Sequence, residues 1–554
     1  MVDGTGNPWF TADIGIERGK IAKISDSIGD EAERIIDATS LLVSPGFIDI
    51  HGHSDYLLLA DPFAENKVAQ GVTTDVSGNC GLSAAPLGKL WLGDWWVDDI
   101  RDRFSMLSWD KAKQVLRRHG IDLSWGTIGG YLGELENQGS AINYCQLVGH
   151  HSLRAAVMGD VIRRPNLEEL EEMKALLRQS MDDGAFGFSC GFDIPHEVDT
   201  SEFMEFCKVV AEEKGIFAIH IRSLEDKVIE SVSEAIEIAE KTNVRTTISH
   251  LMVNGKINWG KAQTALELID EARARGLEIY CDQIPYPTGG GNHYSPEVNS
   301  LLPDWVLDAG INEGVKRLTD PKVREKTKEE MRKGITNKWF KSQWFPLKEP
   351  LWEDMISIIS CEKDKDLEGK TIKEIARMKK NDPYDALLDV VIRDPSAKVV
   401  LTRSCKEDVA AIMRHPTTMF GSDGGILAPI RRLGIPHPRQ YGTFPRVLGK
   451  YVRENKTLTL EEAIRKMTSL PAQALRLTDR GLIREQMHAD ITIFDPEKIQ
   501  DKPNYTDYPR QWTEGIEYVL VNGQVVMEEG RHVKVLAGKV LRHHAMSKMI
   551  STGS

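Results

Sequence analysis

Two histidines near the start of the chain, His51 and His53, have the spacing of a metal-binding pair. They follow a short apolar run, residues 47–50, that reads as a buried strand. Side chains two residues apart on an extended chain point to the same side, and Gly52 between them leaves room for a close approach. Neutral imidazole is a common ligand of zinc and related metals. A His-x-His pair by itself is weak evidence and is better explained as two surface histidines, so the metal prediction depends on the rest of the chain.

Further residues with metal-binding or acid–base chemistry also follow apolar runs: Cys80, His220, His250 and Asp423. Each has a simpler interpretation. His220 could be a core histidine, Cys80 a small buried hydrophobe, and Asp423 a turn residue or a helix N-cap. All of these simpler interpretations would have to be true independently of one another. They would leave unexplained why every one of these residues lies at the same end of a strand candidate. The set therefore predicts a metal site, and its histidine, thiolate and carboxylate ligands suit zinc.

The elements that must position these residues are eight apolar runs that alternate with helical segments. The runs are residues 47–50, 73–77, 144–148, 185–189, 216–219, 246–249, 278–281 and 417–420. Residues 226–242 illustrate the helices, because their apolar side chains recur on one face. Strands that alternate with helices predict an α/β fold, a (β/α)₈ TIM-like barrel, whose strand ends converge on one active-site face.

Both chain ends have a different texture, with alternating strands and hairpin turns at Arg18-Gly19 and Asn522-Gly523. We predict that residues 1–43 and 480–554 pair into a small β-sandwich domain, and that residues 44–291 and 353–479 form the catalytic barrel. A polar segment, residues 292–352, interrupts the rhythm before the eighth strand. We interpret it as an inserted subdomain, for which a lid, a structural elaboration and an oligomer contact are all open readings.

The composition limits the classes of partner. The net charge of −13 argues against a nucleic-acid surface, and no apolar run is long enough to span a bilayer. The N-terminal residues do not resemble a signal peptide. Seven cysteines spread over 554 residues favour a reducing compartment, so a cytoplasmic location is expected. Nothing in the sequence fixes an oligomeric state.

Taken together, the motifs resemble the amidohydrolase superfamily and, within it, the D-aminoacylase (N-acyl-D-amino-acid deacylase) family. The matching stretches run through most of the chain: Pro45-Gly-Phe-Ile-Asp-Ile-His-Gly-His53, Gln70-Gly-Val-Thr-Thr74, Gly78-Asn-Cys-Gly81, His220-Ile-Arg-Ser223, Ser249-His-Leu251, Gly421-Ser-Asp-Gly424 and the run from His437-Pro-Arg439 to Gly449. The resemblance implies a barrel with a small β domain and the insertion.

The resemblance also implies a ligand assignment. Cys80, His220 and His250 would form a tight zinc site, and His51 and His53 would form a second, weaker site bridged by Cys80. The other cysteines, Cys145, Cys190, Cys207, Cys281, Cys361 and Cys405, are interpreted as structural. Asp423 would be the catalytic carboxylate, taking a proton from a metal-activated water and returning it to the departing nitrogen.

The substrate pocket departs from the family pattern. A lysine, a tyrosine and a serine that hold the substrate's carboxylate in the family correspond here to Met252, Ile284 and Gly290, and only Arg439 remains. A carboxylate buried without such partners would be costly to desolvate.

Three explanations are open. Tyr286 or Tyr294 could replace the missing tyrosine, Arg222 could supply the missing cation, or the substrate could carry no free carboxylate. In the last case Met252 and Ile284 would line an apolar pocket. His151, after the third strand, is a further candidate for the pocket, with a supporting structural role as an equal alternative.

The sequence therefore predicts an enzyme, a zinc-dependent amidohydrolase that cleaves a non-peptide amide C–N bond of a small molecule, most simply an N-acyl-D-amino acid. The alternative within enzymes is hydrolysis of a carboxylate-free or cyclic amide, imide or carbamate. The alternative from another class is a metal-binding scaffold without catalysis. The presence of Asp423 speaks against a scaffold, because binding alone does not need a general base.

Overall fold

Eight parallel strands form one sheet, in which each strand pairs with the next one along the chain. The computed structural model describes residues 1–89, 91–92, 106–107, 117, 120–159, 163–191, 198–288, 297–335, 346–348, 350–426, 437–502 and 513–543. The sheet strands are Phe47–Asp49, Val72–Ser77, Asn143–Gly149, Gly187–Cys190, Ile216–Ile219, Arg245–Ile248, Ile279–Gln283 and Thr418–Phe420. They are called barrel strands 1 to 8 below. Each overlaps one of the eight apolar runs, so the predicted barrel is confirmed.

The first and eighth barrel strands meet just beyond their carboxyl ends. Gly52 and Gly424 form a parallel bridge. The Asp423 N–H donates to the His51 carbonyl at 2.8 Å, and the His53 N–H donates to the Gly424 carbonyl at 3.1 Å. The sheet is thereby closed into a barrel at the end where barrel enzymes hold their active sites.

Helices cover the outside of the barrel. They are Leu57–Ala60, Glu65–Val68, Ile128–Gln138, His150–Val157, Leu167–Asp182, Thr200–Glu212, Val228–Thr242, Ala262–Ala274, Lys406–Arg414, Arg439–Arg446, Leu460–Met467 and Ser469–Leu475, with a π-helical stretch at Val447–Glu454. Neighbouring strand residues belong to different buried clusters. Phe47 and Val148 pack with the helices, whereas Ile48 and Leu147 pack with residues from the other barrel strands. This alternation follows from the two-residue period of a strand.

The small β domain is built from both chain ends, as predicted. Its sheet contains the strands Leu42–Pro45, Ile491–Phe494, Ile516–Val521, Gln524–Glu528 and Arg531–His532, and Leu42–Pro45 pairs with Ile491–Phe494. A hairpin of Asp13–Glu17 and Lys20–Ser25 contributes Ile21 to the core of this sheet.

Two further short antiparallel pairs form separate two-stranded sheets. One joins Gln500–Asp501 to Thr513–Glu514, and the other joins Trp91–Leu92 to Met106–Leu107.

Both predicted hairpin turns are observed. Arg18 and Gly19 have φ of +52° and +79°, and Asn522 and Gly523 have φ of +48° and +79°. Two consecutive residues with positive φ are the signature of a type I′ turn, whose twist matches that of the flanking strands.

The insertion before barrel strand 8 has its own hydrophobic core. The buried cluster runs from Val298 to Leu401. It packs the helices Asp304–Leu307, Ile311–Arg317, Pro321–Arg332, Ile372–Lys379 and Pro383–Arg393 and an antiparallel pair, Ile356–Ser360 with Lys398–Leu401. Single 3₁₀ turns lie at Lys256–Asn258, Val298–Leu301, Pro346–Lys348, Trp352–Asp354 and Lys365–Leu367.

The insertion thus extends beyond the predicted segment of residues 292–352. The sequence analysis assigned residues 353–401 to the barrel, because they contain short apolar segments that are typical of strands. In the structure these strands pair with each other rather than with the barrel. The last described residues also leave the β domain, contrary to the simple boundary at 480–554. Val540 bridges to Tyr144 at the start of barrel strand 3, and Leu541 joins the cluster inside the barrel.

Among the described residues, no helix combines the length and the apolar content needed to cross a bilayer.

We expect Gly523→Ala to destabilise the β domain more than Gly530→Ala. Both glycines have positive φ, so either alanine incurs a left-handed backbone cost of about 1–3 kcal/mol. A Cβ at Gly523 would in addition lie 2.7 Å from the Gly19 Cα, whereas a Cβ at Gly530 has its nearest neighbour at 3.7 Å. Thermal unfolding of both variants measures the difference. Equal shifts in Tm would show that the two hairpins do not pack as described.

Candidate metal centre

Six predicted residues, which follow five of the barrel strands, lie together at the carboxyl end of the barrel. Their potential ligand atoms form two groups, each with all atoms within 4.8 Å of one another: His51, His53, Cys80 and Asp423 in the first, and Cys80, His220 and His250 in the second. Cys80 belongs to both groups. The structure therefore brings together every residue that the sequence analysis placed at the metal site.

Cys80 lies at the centre of this arrangement. Its Sγ is 3.4 Å from His51 Nε2, 3.4 Å from His250 Nε2 and 3.7 Å from His220 Nδ1. The thiol is buried. A sulfur in contact with imidazoles from three barrel strands has the position of a bridging ligand between two sites.

Three of these residues have a left-handed backbone conformation. Cys80, His250 and Asp423 have φ of +52°, +35° and +45°. Such values are unfavourable for residues with a side chain, and they concentrate at functional sites where the surrounding structure enforces them. Each of the three follows a barrel strand, so a sharp turn at the strand end directs its side chain into the site.

Asp282 is a site residue to which the sequence analysis assigned no role. Its Oδ2 lies 3.3 Å from His51 Nδ1, and its Oδ1 accepts a hydrogen bond of 2.8 Å from the His250 backbone N–H. A carboxylate on the far ring nitrogen of a metal-binding histidine fixes the ring's orientation and tautomer. The sequence feature that could have identified Asp282 is its place as an acidic residue near the carboxyl end of barrel strand 7, the end at which the candidate ligands of the other strands lie.

The electrostatics of the histidines fit a bound cation. Burial alone would lower the pKa of His51, but Asp282 and Cys80 raise it well above the usual value. Burial lowers the pKa of His53 to about 4, and burial together with His220 lowers the pKa of His250 well below its usual value. His53 and His250 are therefore neutral imidazoles, and the anionic groups that raise the pKa of His51 would equally attract a metal cation. Imidazoles beside a thiol and carboxylates form a donor set that suits zinc, so the residues present fit the predicted metal.

Asp423 is held by two partners. Its Oδ1 lies 3.0 Å from His53 Nε2, and its Oδ2 pairs with Arg439 Nη1 at 2.5 Å. Burial raises the pKa of the carboxyl group, but Arg439 and the histidines lower it well below the usual range. Asp423 is therefore ionised, and its carboxylate is fixed beside the candidate ligands.

Two of the predicted pocket residues, Met252 and Ile284, are buried apolar side chains close to the site in sequence. His151 is also buried, and its ring packs against the backbone of the Cys80 loop. A Cβ on Gly81 would lie 2.9 Å from the His151 ring. The backbone N–H of His151 donates to the Gly81 carbonyl at 2.8 Å. This places His151 beside Cys80, next to the predicted ligands.

Other predicted substrate residues are engaged by protein groups. Arg222 Nε donates to Glu234 at 2.7 Å, and Arg222 Nη2 donates to the Val198 carbonyl. The Tyr286 hydroxyl donates to Asp501 at 3.0 Å, and the Arg446 guanidinium lies over the Tyr286 ring. Gly290 and Tyr294 lie outside the described residues.

Comparison with known proteins agrees with this geometry. The profile of the amidohydrolase family matches residues 34–279 and 359–527. Over 547 residues the chain is 32% identical to the D-aminoacylase of Alcaligenes xylosoxydans xylosoxydans, an alignment that covers 98% of this chain and 96% of that protein. It is 31% identical to the N-acyl-D-glutamate deacylase of the same organism, with 98% and 95% coverage.

Solved structures with the same architecture include metal complexes. The N-acyl-D-glutamate deacylase of Bordetella bronchiseptica, solved with zinc and a phosphonate mimic of the tetrahedral intermediate, is 30% identical, with a TM-score of 0.70 and coverage of 98% of this chain and 97% of that one. A D-aminoacylase with a binuclear metal centre, described as activated by one metal and attenuated by the second, has a TM-score of 0.71, 30% identity and 98% coverage of both chains.

We expect Cys80→Ala to reduce metal retention at both groups of ligands, whereas His53→Ala leaves the Cys80–His220–His250 group intact. The loss in affinity should exceed the roughly 10- to 100-fold that follows removal of a residue that only orients a ligand. The bound zinc is measured by mass spectrometry after dialysis. Cys405→Ser is the control, because this thiol caps the helix Lys406–Arg414 away from the site. Full zinc content in Cys80→Ala would contradict the bridging position.

Proposed function

The chain belongs to the amidohydrolase family, and from this premise we propose that it is a zinc-dependent hydrolase that removes the acyl group from an N-acyl-D-amino acid. The observation that carries the proposal is the position of Cys80, shared by two groups of ligands beside the ionised Asp423. Relatives that align with 98% of the chain are named D-aminoacylase and N-acyl-D-glutamate deacylase.

We propose that Cys80, His220 and His250 hold one tight zinc ion and that His51 and His53, with Cys80, form a second, weaker site. Asp282 supports this assignment, because it orients ligands from both groups. A zinc ion held by these residues would supply Lewis-acid chemistry, lowering the pKa of a bound water and polarising the carbonyl of the scissile amide.

The chain's own carboxylate would carry the proton through the reaction. Asp423 accepts the proton of the attacking water and then donates it to the departing nitrogen, without which an amine is a poor leaving group. His53 and Arg439 hold its two oxygens, so the carboxylate faces the ligands in one orientation. No nucleophilic side chain and no acyl-enzyme are required.

Arg439 is the proposed partner of the substrate's carboxylate. It is a buried cation adjacent to the catalytic aspartate. A guanidinium binds a carboxylate through two parallel hydrogen bonds. The substrate would therefore compete with Asp423 for the same group, and its binding would release one oxygen of Asp423 for proton transfer.

A second candidate is an amide without a free carboxylate, and the pairing of the polar groups favours it. Arg439 pairs with Asp423, Arg222 with Glu234, and Tyr286 with Asp501. Met252 and Ile284 add buried apolar surface. A pocket of this kind suits a neutral, cyclic or aromatic amide, because a buried carboxylate needs partners.

The thiols support a reducing compartment, and we propose a cytoplasmic location on that basis. None of the seven cysteines forms a disulfide bond. Burial raises the pKa of Cys281 to about 12 and that of Cys405 to about 11. Thiols with raised pKa are unreactive, as expected of structural cysteines.

Asp423→Asn should lower kcat by about 10²–10⁴-fold, the usual contribution of a positioned acid–base group. Zinc should remain at Cys80, His220 and His250, none of which depends on the charge of Asp423 for a ligand atom. Turnover of acetylated D-amino acids and zinc content are measured in the same preparation. A zinc-loaded parent protein without turnover of any amide would instead support a binding protein.

Two matched substrate panels separate the candidates. One contains N-acetyl-D- and L-amino acids, and the other contains the same compounds with the carboxylate amidated. If Arg439 binds the carboxylate, turnover is confined to the D-acids, and Arg439→Met raises KM for the acid panel. Arg222→Met is the control, because Arg222 is paired with Glu234 and should not discriminate between the panels. Turnover confined to the amidated panel would exclude deacylation of free amino acids.

A further inference from the structure

Lys67 is a fully buried lysine directly beneath the segment that carries His51 and His53. Its Nζ donates to Asp49 Oδ2 at 2.6 Å and to Asp75 Oδ1 at 2.7 Å, and all three side chains have zero or near-zero exposure. It also donates to the Gly424 carbonyl at 2.9 Å. A lysine with no access to water remains charged only when anions compensate it. The two aspartates provide that compensation and raise the pKa of Lys67 against the effect of burial.

Asp49 connects this lysine to the turn that carries the catalytic aspartate. Its Oδ1 accepts from the Ser422 N–H at 2.9 Å, and its Oδ2 accepts from the Ser422 hydroxyl at 2.5 Å. The Gly424 N–H in turn donates to the Ser422 hydroxyl at 3.1 Å. Both chain neighbours of Asp423 are therefore fixed by the cluster around Lys67.

Asp75 connects the same lysine to the His-x-His segment. A Cβ at Gly52 would lie 2.4 Å from Asp75 Oδ1, so the backbone between the two histidines rests directly on this carboxylate. Asp75 Oδ2 accepts a hydrogen bond of 2.8 Å from the Ser77 hydroxyl. The same hydroxyl accepts a hydrogen bond of 2.8 Å from the Ser54 backbone N–H. The segment is thus held on both sides of His53.

Asp423 needs such support because its backbone is strained. Its φ of +45° is unfavourable for an aspartate, and a strained residue persists only where the surrounding contacts over-determine it. The contacts that do so are the hydrogen bonds that Ser422 donates to Asp49 and those that Lys67 donates to the Ser422 hydroxyl and the Gly424 carbonyl. Without them the turn could relax and move the carboxylate away from His53.

We propose that Lys67 is a positioning residue that holds Asp423 and the His51–His53 segment in register across the junction of barrel strands 1 and 8. It acts through Asp49, Asp75 and Ser422 and touches neither a metal ligand atom nor the substrate site. Residues that orient ligands in this way typically contribute about 10- to 100-fold to metal affinity or activity.

The test uses Lys67→Met and Ser422→Ala in the full-length protein. Both should lower kcat by about 10- to 100-fold with little change in KM. After dialysis, zinc should be lost more readily from the His51–His53–Asp423 group than from the Cys80–His220–His250 group. Ser422→Ala leaves the ion pairs of Lys67 with Asp49 and Asp75 in place. It therefore still tests the positioning role if Lys67→Met fails to fold.

Lys466→Met is the matched control. Lys466 is equally buried and donates to the His415 and Thr418 carbonyls, at the opposite end of barrel strand 8. Its loss should lower Tm without changing kcat or zinc retention. The proposal is overturned if folded Lys67→Met and Ser422→Ala keep the parent's kcat and zinc retention, or if Lys466→Met reproduces their losses.

The kinetic part of this test rests on the proposed function, but zinc retention does not. A protein that hydrolyses none of the assayed amides can still show selective loss of zinc from one group of ligands. Failure of the substrate assignment is therefore distinguishable from failure of the positioning role.

Discussion

Closure of the barrel between its first and last strands is the constraint on which the site depends. The hydrogen bond from the Asp423 N–H to the His51 carbonyl joins residues that are 372 positions apart in the chain. It sets the distance between the Asp423 carboxylate and the first pair of candidate ligands, His51 and His53. The other ligands come from barrel strands between these two, so their positions follow from the strand order.

Charge is distributed in two layers around this closure. The upper layer contains Cys80, Asp282 and Asp423 with the histidines, and its negative charge suits a cation. The lower layer contains Lys67 between Asp49 and Asp75, where the protein supplies the cation itself. This internal cation compensates the buried carboxylates of Asp49 and Asp75 directly beneath the segment that carries His51 and His53.

The β domain and the insertion both reach the mouth of the barrel. Asp501, from the β domain, binds Tyr286 and Arg446. At the end of the insertion, the backbone N–H of Arg403 donates to the Pro287 carbonyl, and the Arg403 carbonyl accepts a hydrogen bond from the Gly255 N–H. Arg403 thus links the loop after barrel strand 7 to the loop after barrel strand 6. These contacts shape the mouth of the barrel with residues other than the candidate metal ligands, in keeping with the separation of a fold's scaffold from its substrate specificity.

The sequence by itself determined the barrel and predicted the six residues that meet in the candidate metal centre. Apolar runs define the strands, and a ligand that follows a strand must lie at the same end of a parallel barrel. The sequence could not reveal Asp282 or Lys67 as supporting residues, because their partners come from distant strands and a lone charged residue reads as solvated surface. It also misjudged the extent of the insertion, because pairing between Ile356–Ser360 and Lys398–Leu401 leaves no local signal. The ion pairs of Arg222 and Arg439 were decided by tertiary structure alone, because a side chain's partner depends on which loops the closed barrel brings together.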